Sequence, residues 1–153
     1  MKALEYEFTP TNEVLLKLFS YTKKLEYAFL ASANFGNLSL SEIHIISKIG
    51  EIKQETISGL ANAMGVTVST MTTAANKLFS KGYIVKERSN SDKRIIYVTL
   101  SEIGAAAFRA HEQFHKMVAE RAIDSLNPQD RNVFAKCLEG ILDFFSSENT
   151  WDL

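Results

Sequence analysis

Apolar residues recur at helical spacing through most of this 153-residue chain. The pattern gives way once, between residues 83 and 100, to two short β-branched and aromatic runs. From about Asn12 to Ala31, Val14, Leu15, Leu18, Leu25, Ala28 and Phe29 follow steps of three and four. Pro10 with Thr11-Asn12 marks the start of that helix, and the turn formers Asn34 to Asn37 around Gly36 mark its stop. Ser39 or Ser41 caps a second helix carrying Ile43, Ile46 and Ile49, expected to end near Gly50. Thr56 caps a short helix through Met64, and Val68 to Lys81 forms the next, with Gly82 in the position after a helix end that glycine favours. Tyr83 to Glu87 and Ile95 to Leu100 have the composition of strands. Ser101 opens a long helix to about Leu126, Asn127-Pro128 breaks it, and a last helix runs from Gln129 to about Ser146. The predicted fold is mainly α, with a small two- or three-stranded antiparallel β-wing.

The segment from Ile57 to Arg94 has the order of a helix-turn-helix followed by a wing. Counting from Ile57, the fifth residue is Ala61, small where two helices must cross closely, and the ninth is Gly65, where the turn needs positive φ. In the second helix Val68, Met71, Ala75, Leu78 and Phe79 form one apolar stripe. The opposite face carries Ser69, Thr70, Thr72, Thr73, Asn76 and Lys77, and no acid occurs between Gly65 and Lys81. Short neutral polar groups with one lysine can approach phosphates and base edges without repulsion. Between the strands, Ser89 to Asp92 are turn formers, so Arg88, Lys93 and Arg94 stand at or beside a hairpin tip. An arginine there can enter a narrow minor groove. Asp92 suits a role in fixing the tip rather than touching DNA.

Composition narrows the partners. The net charge is −1, so whole-chain basicity does not point to nucleic acid, but Lys77, Lys81, Lys86, Arg88, Lys93 and Arg94 are gathered in one segment against Glu87 and Asp92. No apolar run reaches membrane-spanning length, and MKALEYEFTP lacks the layout of a secretory signal, so a cytoplasmic protein without membrane contact is expected. The lone Cys137 excludes an internal disulfide framework, and its place on an apolar stripe predicts a buried, inert thiol. No Ser-His-acid order, phosphate-cradling glycine loop or paired-carboxylate spacing suggests an enzyme, and no cofactor is expected. In the last helix Val133, Phe134, Cys137, Leu138, Ile141, Leu142, Phe144 and Phe145 are too broadly apolar for one solvated face. That breadth favours packing on a second copy, with Trp151 a candidate staple. A dimer would present two recognition helices about 34 Å apart, one turn of duplex, to a palindromic site.

Two blocks, NAMGVTVSTMTTAANKLFSKGYIVKERS and SDKRIIYVTLSEIG, resemble the MarR family of winged-helix transcriptional regulators, and the resemblance covers nearly all of the chain. It implies a two-fold homodimer built by helical regions 1–36 and 102–153, with residues 37–101 reading double-stranded DNA. By position, Thr70, Thr72, Thr73 and Asn76 become major-groove candidates. Thr67, Ser69 and Lys77 become phosphate candidates, and Arg94 the minor-groove arginine. LSLSEIHIISKIG and HEQFHKMVAE are similar to the fatty-acid-biosynthesis repressor branch of Gram-positive bacteria, which implies a repressor sensing acyl chains on acyl carrier protein.

The effector stays open between classes. An acyl chain or other small apolar or phenolic ligand would use a cleft drawn from Phe29, Phe35, Ile43, Phe108 and Phe114, beside His44, His111 and His115. Alternatively His44 with His111 and His115, the latter two spaced i, i+4 on one helix face, suit a transition metal such as zinc, as in zinc-responsive members of the family. Ile43 stands where those members carry an acid, and Glu26 or Glu112 would have to complete the shell. The plainer reading is that the histidines are hydrogen-bonded packing residues near the junction of dimer arm and reader.

Overall fold

Capping decides most element boundaries. The computed structural model describes residues 8–146. Helix α1 spans Phe8–Ser32, starting before Pro10 rather than after it; a proline in the first turn lacks only an N–H that has no intrahelical acceptor there. It ends where Asn34, not Gly36, takes the left-handed conformation at φ 65°, with Phe35 N–H returning to the Leu30 carbonyl at 2.8 Å. Helix α2 is Leu40–Ile52, capped by Ser39 in a reciprocal box with Glu42. It continues past Gly50 to Lys53, whose own φ of 73° stops it.

Thr56 caps α3, Ile57–Ala63, by accepting the Gly59 N–H at 2.9 Å. The turn that follows holds Gly65 at φ 64°, with open space where a Cβ would stand, so backbone conformation alone calls for glycine. Helix α4, Val68–Ser80, begins at the Thr67 cap. Strand β1, Glu55–Thr56, joins β2, Ile84–Arg88, and β3, Ile96–Leu100, in an antiparallel sheet ordered β1-β3-β2. The register sets Glu55 opposite Val98, and Ile84 to Arg88 opposite Leu100 to Ile96. The two-residue β1 has no sequence run of its own; it exists because β3 offers an edge. Helix α5 is Glu102–Asp124 and α6 is Arg131–Ser146. Among the described residues no helix is long and apolar enough to cross a membrane.

Two compact units divide after Phe114. The first holds the core: Leu30, Leu38, Ile43, Ile46, Ile49, Leu60, Met71, Ala75, Leu78, Val98 and Ala107 are buried together. In the second, α6 leaves Val133, Leu138, Ile141, Leu142 and Phe144 exposed. Cys137 is exposed as well, so among the described residues of a single chain nothing supplies the burial expected of its thiol. The same holds on α1, where Val14, Leu15, Leu18 and Leu25 face solvent while Glu26 and Leu30, one turn apart, face inward. Trp151 and the Phe145 side chain lie outside the described residues.

A charged clamp ties α4 to the start of α2. The Lys81 ammonium donates to both Glu42 carboxylate oxygens at 2.8 Å and to the Asn37 carbonyl at 2.6 Å, and Tyr83 Oη donates to Asn37 Oδ1 at 2.7 Å. Burial alone would raise the Glu42 pKa. The hydrogen bonds from Lys81 and from Ser39, with the charge of Lys81, outweigh it and hold the carboxyl below its ordinary value. At the same base of the β2–β3 hairpin, Ser101 Oγ donates to the Gly82 carbonyl at 2.6 Å and accepts the Gly104 N–H at 3.1 Å. There α5 approaches so closely that a Cβ on Gly104 would lie 2.0 Å from the Tyr83 carbonyl oxygen.

Two outcomes follow from these contacts. Gly104→Ala is expected to cost about 2 kcal/mol in urea unfolding, because the obstacle is backbone and cannot rotate away; an unchanged midpoint would show that α5 can slide at its start. For Glu42, stabilisation is complete above the unfolded value near 4.5 and is lost as pH falls through the lower folded value. Native protein and Glu42→Gln should therefore differ in stability at neutral pH and converge in acid, and parallel curves across that range would exclude the ionised clamp.

Candidate nucleic-acid interface

Burying Met71, Ala75 and Leu78 fixes the rotation of α4 and turns its polar residues outward. The apolar stripe is narrower than its sequence spacing suggests: Val68 and Phe79 at its two ends are half exposed. Thr67, Ser69, Thr70, Thr73, Asn76 and Lys77 are exposed on the outer face, and Thr72 is half-buried. Thr67 Oγ1 accepts the Thr70 N–H at 3.2 Å and lies 2.9 Å from Thr70 Oγ1. Thr72 and Thr73 donate their hydroxyl protons back to the carbonyls of Val68 and Ser69, at 2.7 and 3.1 Å. In the free protein Thr72 and Thr73 therefore present methyl groups and oxygen lone pairs rather than hydroxyl donors.

Basic charge is more selectively disposed than the sequence indicates. Lys81 belongs to the Glu42 clamp. Lys86, on β2, donates to Asn76 Oδ1, and its ammonium sits 4.8 Å from the centre of the Phe79 ring. Lys77, Arg88, Lys93 and Arg94 remain exposed. The wing tip is pinned from inside: Asp92 Oδ1 accepts the Arg94 N–H at 2.9 Å, and Ser89 N–H reaches the Ile95 carbonyl at 3.0 Å. Ser89 Oγ also receives the N–H groups of Ser91 and Asp92. Arg94 is thus carried on an ordered tip. Arg94 and Thr72 border one hollow with Ile57 and Val68, so the wing stands beside the helix face. An open groove between α2 and α4 brings Ser39 and Ser41 alongside Ser69, Thr70, Thr73 and Lys77. The sequence pattern gives Ser39 and Ser41 only a capping role. A polar pair at a helix start on the same face would have been the signal for more.

The effector candidates fall into separate groups. Ile43 is fully buried in the core, Phe35 packs edge-on to Tyr83 at 6.4 Å, and Phe108 lies over Gly50. Phe29 and Phe114 meet at 5.1 Å, next to His111. Around them is a polar cluster organised by Glu26, which is buried on α1. Its Oε1 is 3.0 Å from His44 Nε2 and 2.7 Å from His111 Nε2, and the other nitrogen of His111 is 2.7 Å from Ser47 Oγ. His111 is buried, while half of the His44 side chain is exposed. His115, exposed, follows one turn later on α5. With a carboxylate as acceptor, each Nε2 donates to Glu26, and Nδ1 of His111 pairs with the Ser47 hydroxyl. Glu26 could be suspected from sequence but not placed; its spacing of four from Leu30 is the trace it leaves.

Comparison with known proteins bears on the same segments. Residues 38–96 match the model of the MarR family. The chain is similar to the uncharacterised HTH-type transcriptional regulators YhjH and YwhA of Bacillus subtilis. It is 23% identical to YhjH over 109 residues, 71% of this chain and only 62% of that relative. To YwhA it is 26% identical over 123 residues, 80% of this chain and 86% of the relative. Among solved structures it is similar to Streptococcus pneumoniae FabT in complex with DNA, at 32% identity and a TM-score of 0.84, over 91% of this chain and 97% of that one. With a helix-turn-helix, an ordered basic wing and identity at this level across nearly all of a solved relative, the chain belongs to the MarR family and is a DNA-binding transcriptional regulator, not an enzyme.

Proposed function

We propose that the protein is a cytoplasmic homodimeric repressor that binds palindromic promoter sites and changes its grip in response to an apolar effector, an acyl chain presented on acyl carrier protein. The observation that carries the DNA part is the pairing of an acid-free outer face on α4 with an arginine on a pinned wing tip. Thr70, Thr72, Thr73 and Asn76 face the major groove in this reading. Thr67, Ser69, Lys77, Arg88 and Lys93 meet phosphates, Arg94 enters the minor groove, and Asp92 holds its backbone. Dimers are typical of MarR-type structures, and the uncovered apolar faces of α1 and α6 support one here. The effector part rests on the resemblance to the fatty-acid-biosynthesis repressor branch and on the aromatic pair Phe29 and Phe114. An effector acts by binding better to one spacing of the two recognition helices than to the other.

A second effector reading draws on the Glu26 cluster. It takes His44, His111 and His115 as ligands of a transition metal, and the buried Glu26 carboxylate shared by His44 and His111 supports it as a further donor.

Arg94→Ala should weaken binding to a palindromic duplex, followed by fluorescence anisotropy, and lower the slope of log affinity against log salt by about 1. An unchanged slope removes the wing from the interface. Acylated acyl carrier protein should alter duplex affinity by at least about fivefold, the lower end of ordinary allosteric coupling; equal affinities with and without it would overturn acyl sensing. For the metal reading, elemental analysis should find stoichiometric zinc that His111→Ala removes, and zinc-free protein that takes up none on titration would end it.

A further inference from the structure

We propose that Lys86 sets the base preference of Asn76, and that the two side chains read guanine together as one donor unit. The inference rests on α4 entering the major groove, as argued above.

An asparagine alone on a recognition helix suits adenine, accepting from N6 through its oxygen and donating to N7 through its nitrogen. Here the oxygen is engaged before DNA arrives. An ammonium has donors only, so the amide must turn its oxygen to Lys86 and its NH2 group away. Lys86 is itself held: it is half-buried on β2 opposite Val98, and its ammonium rests on the ring of Phe79 at 4.8 Å. That ring is the exposed end of the α4 stripe, which gives Phe79 a use that core packing does not. The pair therefore offers the amide protons and the remaining ammonium protons from one spot beside α4.

Guanine, with O6 and N7 both acceptors, matches that spot. Adenine and cytosine each place an amino donor against a positive charge, and thymine offers one acceptor beside a methyl group. One turn earlier, Thr72 and Thr73 have given their hydroxyl protons to the helix and show methyls and lone pairs. The reading face is thus divided, with donors gathered at Asn76 and Lys86.

The test is selection of binding sites from a randomised duplex library with the native protein, Asn76→Ala and Lys86→Met, the last keeping the aliphatic stem over Phe79. The native protein should enrich guanine at one position of each half-site. Asn76→Ala should lose that enrichment. Lys86→Met should shift the same position toward adenine, changing the guanine-to-adenine ratio about tenfold or more, while other positions keep their preference. Adenine at the Asn76-dependent position of the native protein would overturn the proposal, as would a guanine preference untouched by Lys86→Met or a motif untouched by Asn76→Ala. Failure of the native protein to enrich any motif would instead sink the DNA-binding reading on which this one stands.

Discussion

Everything the reading face can do depends on how Met71, Ala75 and Leu78 are buried. These three residues seat α4 on the core and fix its rotation about its own axis. Burial of the Met and Leu side chains contributes about 1.5–3 kcal/mol each, enough to make any other rotation costly. The Lys81 clamp adds a second restraint of a different kind. It joins the last turn of α4 to the first turn of α2 through a carboxylate that is also part of the Ser39 cap. Apolar packing sets which face turns outward, and the ion pair sets where the end of the helix lies.

Free polar groups on that face are fewer than the composition suggests. Thr72 and Thr73 are bonded to their own helix, Thr67 to the backbone it caps, and Asn76 to Lys86. The face is ordered before it meets a partner, so less side-chain entropy is lost on binding. The wing follows the same economy, with Asp92 and Ser89 spending their oxygens on the tip's own N–H groups.

Helix α2 is the element shared by the reader and the histidine cluster. Glu42 reaches α4 through Lys81, and two residues later His44 reaches Glu26 on α1. Between them Ile43 is fully buried. A ligand that changed the Glu26 network would act on the helix that also anchors α4, which gives the proposed effector response a physical element to bias.

The helix-turn-helix was legible in sequence because its demands are local. Gly65 meets a φ requirement, Thr56 and Thr67 meet unpaired N–H groups, and the spacing of Met71, Ala75 and Leu78 follows from helix geometry. The acid-free face and the turn formers of the wing are equally local. What sequence could not decide was which of several apolar stripes the chain covers by itself. Val14 and Leu25 on α1 and Leu138 on α6 repeat at helical spacing as well as the core residues do, yet they stay exposed, as does Cys137. Periodicity defines a stripe, but only packing chooses its partner. The long-range polar contacts are likewise tertiary. Glu26 meets His111 across 85 positions and Lys81 meets Glu42 across 39, and no spacing rule links residues so far apart. The sequence by itself determined the reading motif, because local backbone geometry dictates it; the tertiary structure alone decided which charges are already paired and which stand free to meet DNA.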